Sequence, residues 1–331
     1  MAEGRGNRPN PQNLQGLLRL AVEAGSASDE PAPTEPMSEE RKAWLREALA
    51  EACRGQLDEV EQMRRCLDVL RRPERGEEEE GEEEEEGGAA ESALDLLSEL
   101  CENLDNARDL MTLGGLQLCV AQRLRDAAPG VRWRAAQLLA VCCQNHPEVQ
   151  FHALSLGALS PLLALVDADP CPTVRVKALY AVSCLVREQE AALREFLSHD
   201  GFSVLMRGMQ SDHEKLRVKS AFLLQSLLAS HAEHRDTLVS MGMVQQLVSL
   251  LRCPPSPFHE HVLGALCCLV CDFPRGVTEC RDPALGLEEL LKERTRELKG
   301  REECQEELEF CERLLVSCFR SLPPEDNGMD R

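Results

Sequence analysis

Cys267, Cys268 and Cys271, with Cys280 nearby, invite a zinc reading. On a helix Cys267 and Cys271 share a face. Structural zinc, however, is held by a CxxC-type knuckle matched to a second pair at a suitable distance. No such second pair stands nearby, so these thiols read as part of an apolar helix face and no metal is expected. His259 and His261, in HEHVLG, lack the i, i+4 spacing of a helical metal pair and read as a solvated helix start. The sequence has no P-loop, no GxGxxG after a strand, no GxSxG and no HExxH. The eight histidines are scattered. The reading is of a protein without catalytic residues, cofactor or metal, and not an enzyme.

The side chains that remain are suited to recognition. Cations recur in pairs, Arg132/Arg134, Arg175/Lys177 and Arg217/Lys219, and Tyr180 and Phe222 follow two of those pairs. Their spacing is set by the elements that carry them. In Thr173–Glu188, Ala178, Ala181, Val182 and Leu185 fall at i, i+3, i+4 and i+7, one face of an amphipathic helix. The same column appears as Ala135, Leu138, Leu139, Cys142, then as Ser220, Leu223, Leu224, Leu227, then as Val262, Ala265, Leu266, Leu269. A fainter copy is Ala93, Leu96, Leu97, Leu100. The offsets are 42, 43, 42 and 42 residues. A fixed period of that size marks stacked helical repeats of the armadillo or HEAT kind.

A second marker runs in step. Gly115, Gly157, Gly201, Gly242 and Gly286 each open a short apolar helix, and glycine there permits a sharp turn between two short helices. A repeat is then a short helix, a glycine, a second helix, a polar loop and a long third helix. Three helices per repeat favour armadillo over HEAT. The fold expected is all-α: a right-handed armadillo-like superhelical solenoid with helical caps at both ends.

Composition agrees. Of 331 residues 43% are hydrophobic and only 3% aromatic, as in stacked Leu- and Ala-rich helices. The formal charge of -21 argues against general binding to nucleic acid or an anionic membrane, since phosphate contact needs a positive field. No run approaches the roughly 20 apolar residues of a membrane span. The start MAEGRGNRPNPQ has no apolar h-region. With cysteines on apolar faces, for example Cys142, Cys184 and Cys267, this leads to the expectation of free thiols in a reducing compartment, cytosol or also nucleus.

In chain order, residues 1–36 are expected to be a disordered amino-terminal segment with a short Leu-rich helix at 13–25. A helical cap follows at 37–72, then an acidic low-complexity loop at 73–90. Armadillo repeats occupy 91–286, at about 91–130, 131–172, 173–214, 215–257 and 258–286. Capping helices at 287–320 and a disordered tail at 321–331 complete the chain, which is expected to be a monomer.

Third helices line the concave face of an armadillo stack. The buried column then places Asp95, Gln137, Tyr180, Phe222 and Gly264 in one groove row. Glu99, Val141, Cys184, Ser226 and Cys268 form the next, and Arg134, Lys177, Lys219 and His261 run before them. Peptide-binding armadillo proteins carry Trp and Asn ladders at these rows, and both are missing here. The groove instead offers a basic row (Arg132, Arg134, Arg175, Lys177, Arg217, Lys219), an acidic amino-terminal end (Asp95, Glu99) and a Tyr180/Phe222 centre. That combination suits a folded partner with an acidic surface.

The blocks PMSEERKAWLREA, LDLLSELCENLDNA, VRWRAAQLL, TVRVKALYAVSCLVREQE, DGFSVLMRGMQ, SMGMVQQLVSLLR and ELEFCERLL closely resemble a family of armadillo nucleotide-exchange factors. That family comprises the heat-shock 70 kDa protein-binding proteins of vertebrates and the Fes-type factors of fungi. The likeness runs from about Asn13 to Arg331. It implies a co-chaperone that embraces the ATPase domain of 70 kDa heat-shock (DnaK-class) chaperones, distorts it and promotes release of ADP and then of client. It also implies that an amino-terminal release segment occupies the chaperone's substrate-binding domain; here 13–25, with Leu14, Leu17 and Leu18, is the match. The alternative is an armadillo scaffold or inhibitor that holds the chaperone, or links it to a ubiquitin ligase, without exchange activity.

Overall fold

The structure is a computed structural model that describes Arg41, Trp44 and residues 58–72 and 82–320. The release segment with Leu14, Leu17 and Leu18, most of the first half of the amino-terminal cap, residues 73–81 and the tail 321–331 lie outside the described residues. Within them every regular element is a helix and there is no strand. The chain forms two compact units, Met1–Leu118 and Cys119–Arg331.

In the first unit, helix α1 spans 58–70 and buries Met63, Cys66, Leu67 and Leu70. Helix α2 is Glu82–Leu100. It starts inside the acidic run read as a loop to residue 90, because glutamate is a good helix former and the turn beyond is anchored by buried Ala93, Leu94 and Leu97. Leu96 and Leu100 of the faint column are only half-buried; Leu94 and Cys101 take the inner positions. Helix α3, Leu104–Thr112, is capped by Asn103, whose side chain accepts from the Asp105 N–H. Asn106 of α3 donates to Glu59 at 2.8 Å and to the Leu100 carbonyl at 2.9 Å, and Arg71 donates to the Leu113 carbonyl. These bonds tie α1, α2 and α3 together. Helix α4 is Gly115–Ala121.

The second unit is built from helix triplets. After a 3-10 turn at Arg123–Arg125 comes the long helix α5, Pro129–Cys143. Then follow α6 (Pro147–Ser155), α7 (Leu159–Ala168) and α8 (Pro172–Val186). The next triplet is α9 (Glu190–Ser198), α10 (Gly201–Met209) and α11 (Glu214–Ser230). After it come α12 (Arg235–Ser240), α13 (Met243–Leu250) and α14 (Phe258–Val270). The last is α15 (Pro274–Cys280), α16 (Leu287–Leu298) and α17 (Gln305–Leu314), with α17 running into a π-helical turn at Leu315–Phe319. The segment 287–320, read as separate capping helices, thus supplies the second and third members of a triplet opened by α15. Its inner stripe is Glu307, Cys311, Leu314 and Cys318, while Leu308 and Leu315 are half-buried.

Prolines open α5, α6, α8 and α15 at the first helical turn, where an N–H would be unpaired in any case. The third helices α5, α8, α11, α14 and α17 pack one on the next in series. Every member of the three columns in α5, α8 and α11, and of the column in α14, is buried. The first and second helices are also linked sideways. Arg275 pairs with Asp236 at 2.6 Å between α15 and α12, and Arg207 forks onto Asp167 at 2.6 and 3.0 Å between α10 and α7.

The turn before each second helix uses one left-handed residue: Gly114, Gly157, Asp200, Gly242 and Gly286, with φ between 54° and 78°. Two of the expected glycines, Gly115 and Gly201, sit one residue later and serve a different purpose. A Cβ on Gly115 would strike Leu110, and one on Gly201 would strike the Phe196 ring, so here glycine permits close helix approach. Asn145, Glu188 and Asp272 also have positive φ and end the third helices α5, α8 and α14. Among the described residues no single helix is long and apolar enough to cross a membrane.

Candidate protein-partner interface

A helix advances about 100° per residue, so positions two apart face nearly opposite ways. The paired cations divide accordingly. Arg132, Arg175 and Arg217 lie three residues before the inner positions Ala135, Ala178 and Ser220, and they turn into the fold. Arg132 forks onto Asp169 at 2.8 and 3.1 Å and donates to the carbonyls of Asp126 and Ala127. The Asp169 carboxylate, with its hydrogen bond to Arg132, holds that guanidinium above its ordinary pKa. Arg175 donates to the Val166 carbonyl at 2.8 Å, and Arg217 lies over the Phe258 ring at 5.2 Å. These three arginines, expected in the groove, are engaged in holding each third helix against its neighbours.

Arg134, Lys177 and Lys219 remain on the third-helix face. The Arg134 guanidinium stacks on Trp133 at 4.2 Å, and the Lys177 ammonium lies 5.8 Å from the same ring. Lys177 donates to Gln137 at 2.7 Å. Burial lowers the Lys177 pKa, and Lys219 and Lys215 lower it further. Tyr180 donates to Gln144 at 2.7 Å and also bonds Cys184, and burial raises its phenol pKa. Phe222 is 45% exposed and packs edge-on against His261 at 5.3 Å. His261 bonds Gln225 at 3.0 Å, and burial lowers its pKa. Gln225 fills the space that a side chain would need at Gly264. Ser226 is half-buried beside it.

The structure therefore joins Arg134, Gln137, Lys177, Tyr180, Lys219, Phe222 and His261 along α5, α8, α11 and α14. Trp133 and Lys215 belong with them and were missed. Trp133 carried a signal, since aromatic residues beside cations favour stacking. Asp95 and Glu99 belong to α2 of the first unit, half-buried and exposed respectively. Toward α17 the face turns acidic. Glu260 is raised in pKa by burial and by its hydrogen bond to Glu306.

His259 is not a solvated helix start but fully buried. It stands one period after Arg217 and meets Arg294 at 2.9 Å; Arg294 in turn pairs with Glu307 at 3.0 Å. Burial, with Arg294 adding to it, lowers the His259 pKa to about 4. Among the described residues no group of three or more His, Cys, Asp or Glu is placed to hold a metal ion.

Comparison with known proteins accounts for both units. A family model described as SIL1/FES1/HPBP1 C-terminal domain matches residues 106–237, and one described as Nucleotide exchange factor Fes1 matches residues 14–110. Hsp70-binding protein 1 of Homo sapiens is 60% identical over 98% of this chain and 89% of its own. The chain belongs to the SIL1/FES1/HPBP1 family. Hsp70-binding protein 1 of Mus musculus is 59% identical over 98% of this chain and 90% of its own. A more distant member, the Hsp70 nucleotide exchange factor FES1 of Debaryomyces hansenii, is 29% identical over 61% of this chain. Among solved structures, a designed armadillo repeat protein superposes with a TM-score of 0.61 at 19% identity, covering 77% of this chain and 98% of its own. At that identity the match speaks for the fold alone, an armadillo-like helical solenoid.

Proposed function

We propose that this chain is a co-chaperone of the Hsp70 system, a nucleotide-exchange factor that grips the ATPase domain of a 70 kDa heat-shock chaperone and promotes ADP release and then client release. The observation that carries this reading is 60% identity to an Hsp70-binding protein across 98% of the chain. The contact is assigned to the third-helix face, through Arg134, Gln137, Lys177, Tyr180, Lys219, Phe222, Ser226 and His261. Lys177, Lys215 and Lys219 crowd one another there, a strain that an acidic partner surface relieves. Aromatic side chains beside them supply anchors, and the charges set orientation and association rate.

Exchange follows from linkage and needs no catalytic group in this chain, which is accordingly not an enzyme. A protein that binds the open ATPase conformation more tightly than the ADP-closed one weakens ADP by the same factor. A thousandfold effect takes about 4 kcal/mol of differential binding. Helices packed in series and cross-linked by Arg132–Asp169, Arg207–Asp167 and Arg275–Asp236 resist bending, so the partner deforms. Cytosol, as a reducing compartment, is the location proposed, and the monomer is the proposed active form. The release segment 13–25 is proposed to meet the chaperone's substrate-binding domain.

The test is stopped-flow release of fluorescent ADP from a purified Hsp70 ATPase domain, chased with ATP, at sub-stoichiometric amounts of this protein. Acceleration is expected. A stable complex that leaves the release rate unchanged would replace exchange with holding or inhibition.

A further inference from the structure

The exchange reading makes no use of the thiols that gather at the carboxy-terminal end of the second unit. Cys267 of α14, Cys280 of α15, Cys311 of α17 and Cys318 of the π-helical turn are all buried thiols rather than disulfides. They lie close enough to influence one another's ionisation, Cys280 and Cys318 most strongly. Cys280 and Cys318 share the wall of a surface cavity of about 660 Å³, with Arg281, Gly286, Leu287 and Phe319. Arg281 donates from Nε to the Cys318 carbonyl, which brings its guanidinium beside that residue. The thiol cluster is not arranged as a metal site.

We propose that Cys280 and Cys318 are a redox dithiol, a modification site at which a hydroperoxide forms an intrachain disulfide between α15 and the turn that ends α17. The roles of the two sulfurs differ. Their interaction, together with Arg281, favours the thiolate at Cys318, while Cys280 is held protonated. The Cys318 thiolate attacks the terminal, hydroxyl-bearing oxygen of the hydroperoxide; the O–O bond breaks, the alkoxide (hydroxide from hydrogen peroxide) leaves and takes a proton from solvent, and Cys318 becomes a sulfenic acid. The Cys280 sulfur then attacks the Cys318 sulfur, the S–O bond breaks and water leaves with the Cys280 proton. The sum is two thiols and one hydroperoxide giving one disulfide, water and the corresponding alcohol, or a second water from hydrogen peroxide.

Both residues are fully buried and line the cavity wall, so the cavity is the route by which oxidant reaches them. Reaction at this pair is therefore slower than at exposed Cys253 and Cys271. Once formed, the bond covalently fixes the end of α17 to the first helix of its own triplet.

The experiment incubates the full-length chain with hydrogen peroxide under native conditions, caps remaining thiols in denaturant, and maps peptides by mass spectrometry. A Cys280–Cys318 peptide pair is expected, lighter by two hydrogens than the separate peptides and split by dithiothreitol, building up after Cys253 and Cys271 have reacted. In Cys280→Ser, dimedone is expected to label Cys318; in Cys318→Ser, no dimedone label is expected at Cys280. The proposal is overturned if no linked pair forms once Cys253 and Cys271 are fully oxidised, or if Cys280 links to Cys267 or Cys311 instead. Mapping the unsubstituted chain decides the matter even where a serine variant misfolds.

Discussion

The middle triplets and the last one use charge differently. Around α5, α8 and α11, cations stand both inside the fold, where Arg132 meets Asp169, and on the third-helix face, where Lys177, Lys215 and Lys219 crowd together. Around α14, α16 and α17 one cation, Arg294, is buried, while Lys292, Arg296 and Arg313 stay exposed. Arg294 and Glu307 have side chains only 8% and 12% exposed, with His259 completing the group. The face there carries carboxylates and thiols. The middle of the stack is built to present charge to something else, and the end is built to close the fold.

The largest effect expected from this contrast comes from breaking the buried pair. Arg294→Ala leaves Glu307 without its partner and should cost about 3–5 kcal/mol, read as a fall in the urea midpoint of the second unit. Arg294→Met combined with Glu307→Leu should recover most of it, because well-packed apolar pairs replace buried ion pairs at little cost. Failure of the double variant to recover would mean the pair also specifies local packing.

His259 gives the next effect, through pH. Its folded pKa of about 4 lies below the ordinary value of 6.5, so between those values the unfolded chain binds a proton that the folded chain refuses. Stability therefore falls as pH drops from 6.5 to 4, by about 3 kcal/mol from this residue. Glu307, raised by burial, works in the opposite sense, so the comparison to make is between the wild type and His259→Gln. Parallel stability–pH curves for the two would remove His259 from the account.

In the middle triplets, Asp169→Ala should cost about 2–3 kcal/mol, the worth of charged hydrogen bonds left open at Arg132. Lys177→Glu with Lys219→Glu should leave circular dichroism unchanged and weaken chaperone-ATPase binding by about tenfold, or ~1.4 kcal/mol. Full binding by that pair, measured by calorimetry, would move the interface off this face. The smallest effect expected is Gly157→Ala. Its φ of 71° is left-handed with open space around the position, so only backbone strain of about 1 kcal/mol is at stake.

Much of this contrast could be seen in the residue spacing, and some could not. The column from Ala135 to Leu269 and the 42-residue period located the third helices, because burial of one helical face constrains every third or fourth residue. The same periodicity, applied to Arg132 and Arg134, would have separated the inward arginine from the outward one. The Arg294–Glu307–His259 group was hidden because its members are brought together by tertiary packing, and α16 looks like a solvated helix when read alone. Cys280 and Cys318 meet for the same reason. Glu188 gave no signal, whereas Asn145 and Asp272 are residue types that tolerate the left-handed conformation, a preference too weak to place a turn by itself.

The recurrent left-handed residue before each second helix has an evolutionary reading. Gly114, Gly157, Asp200, Gly242 and Gly286 share one backbone conformation, so a tract running from one to the next begins and ends on matching geometry. Each is a seam at which a gene segment of one period can be duplicated or excised in frame without re-forming the joint. Lengthening such a protein then requires compatible faces between neighbours, and no new turn has to be invented.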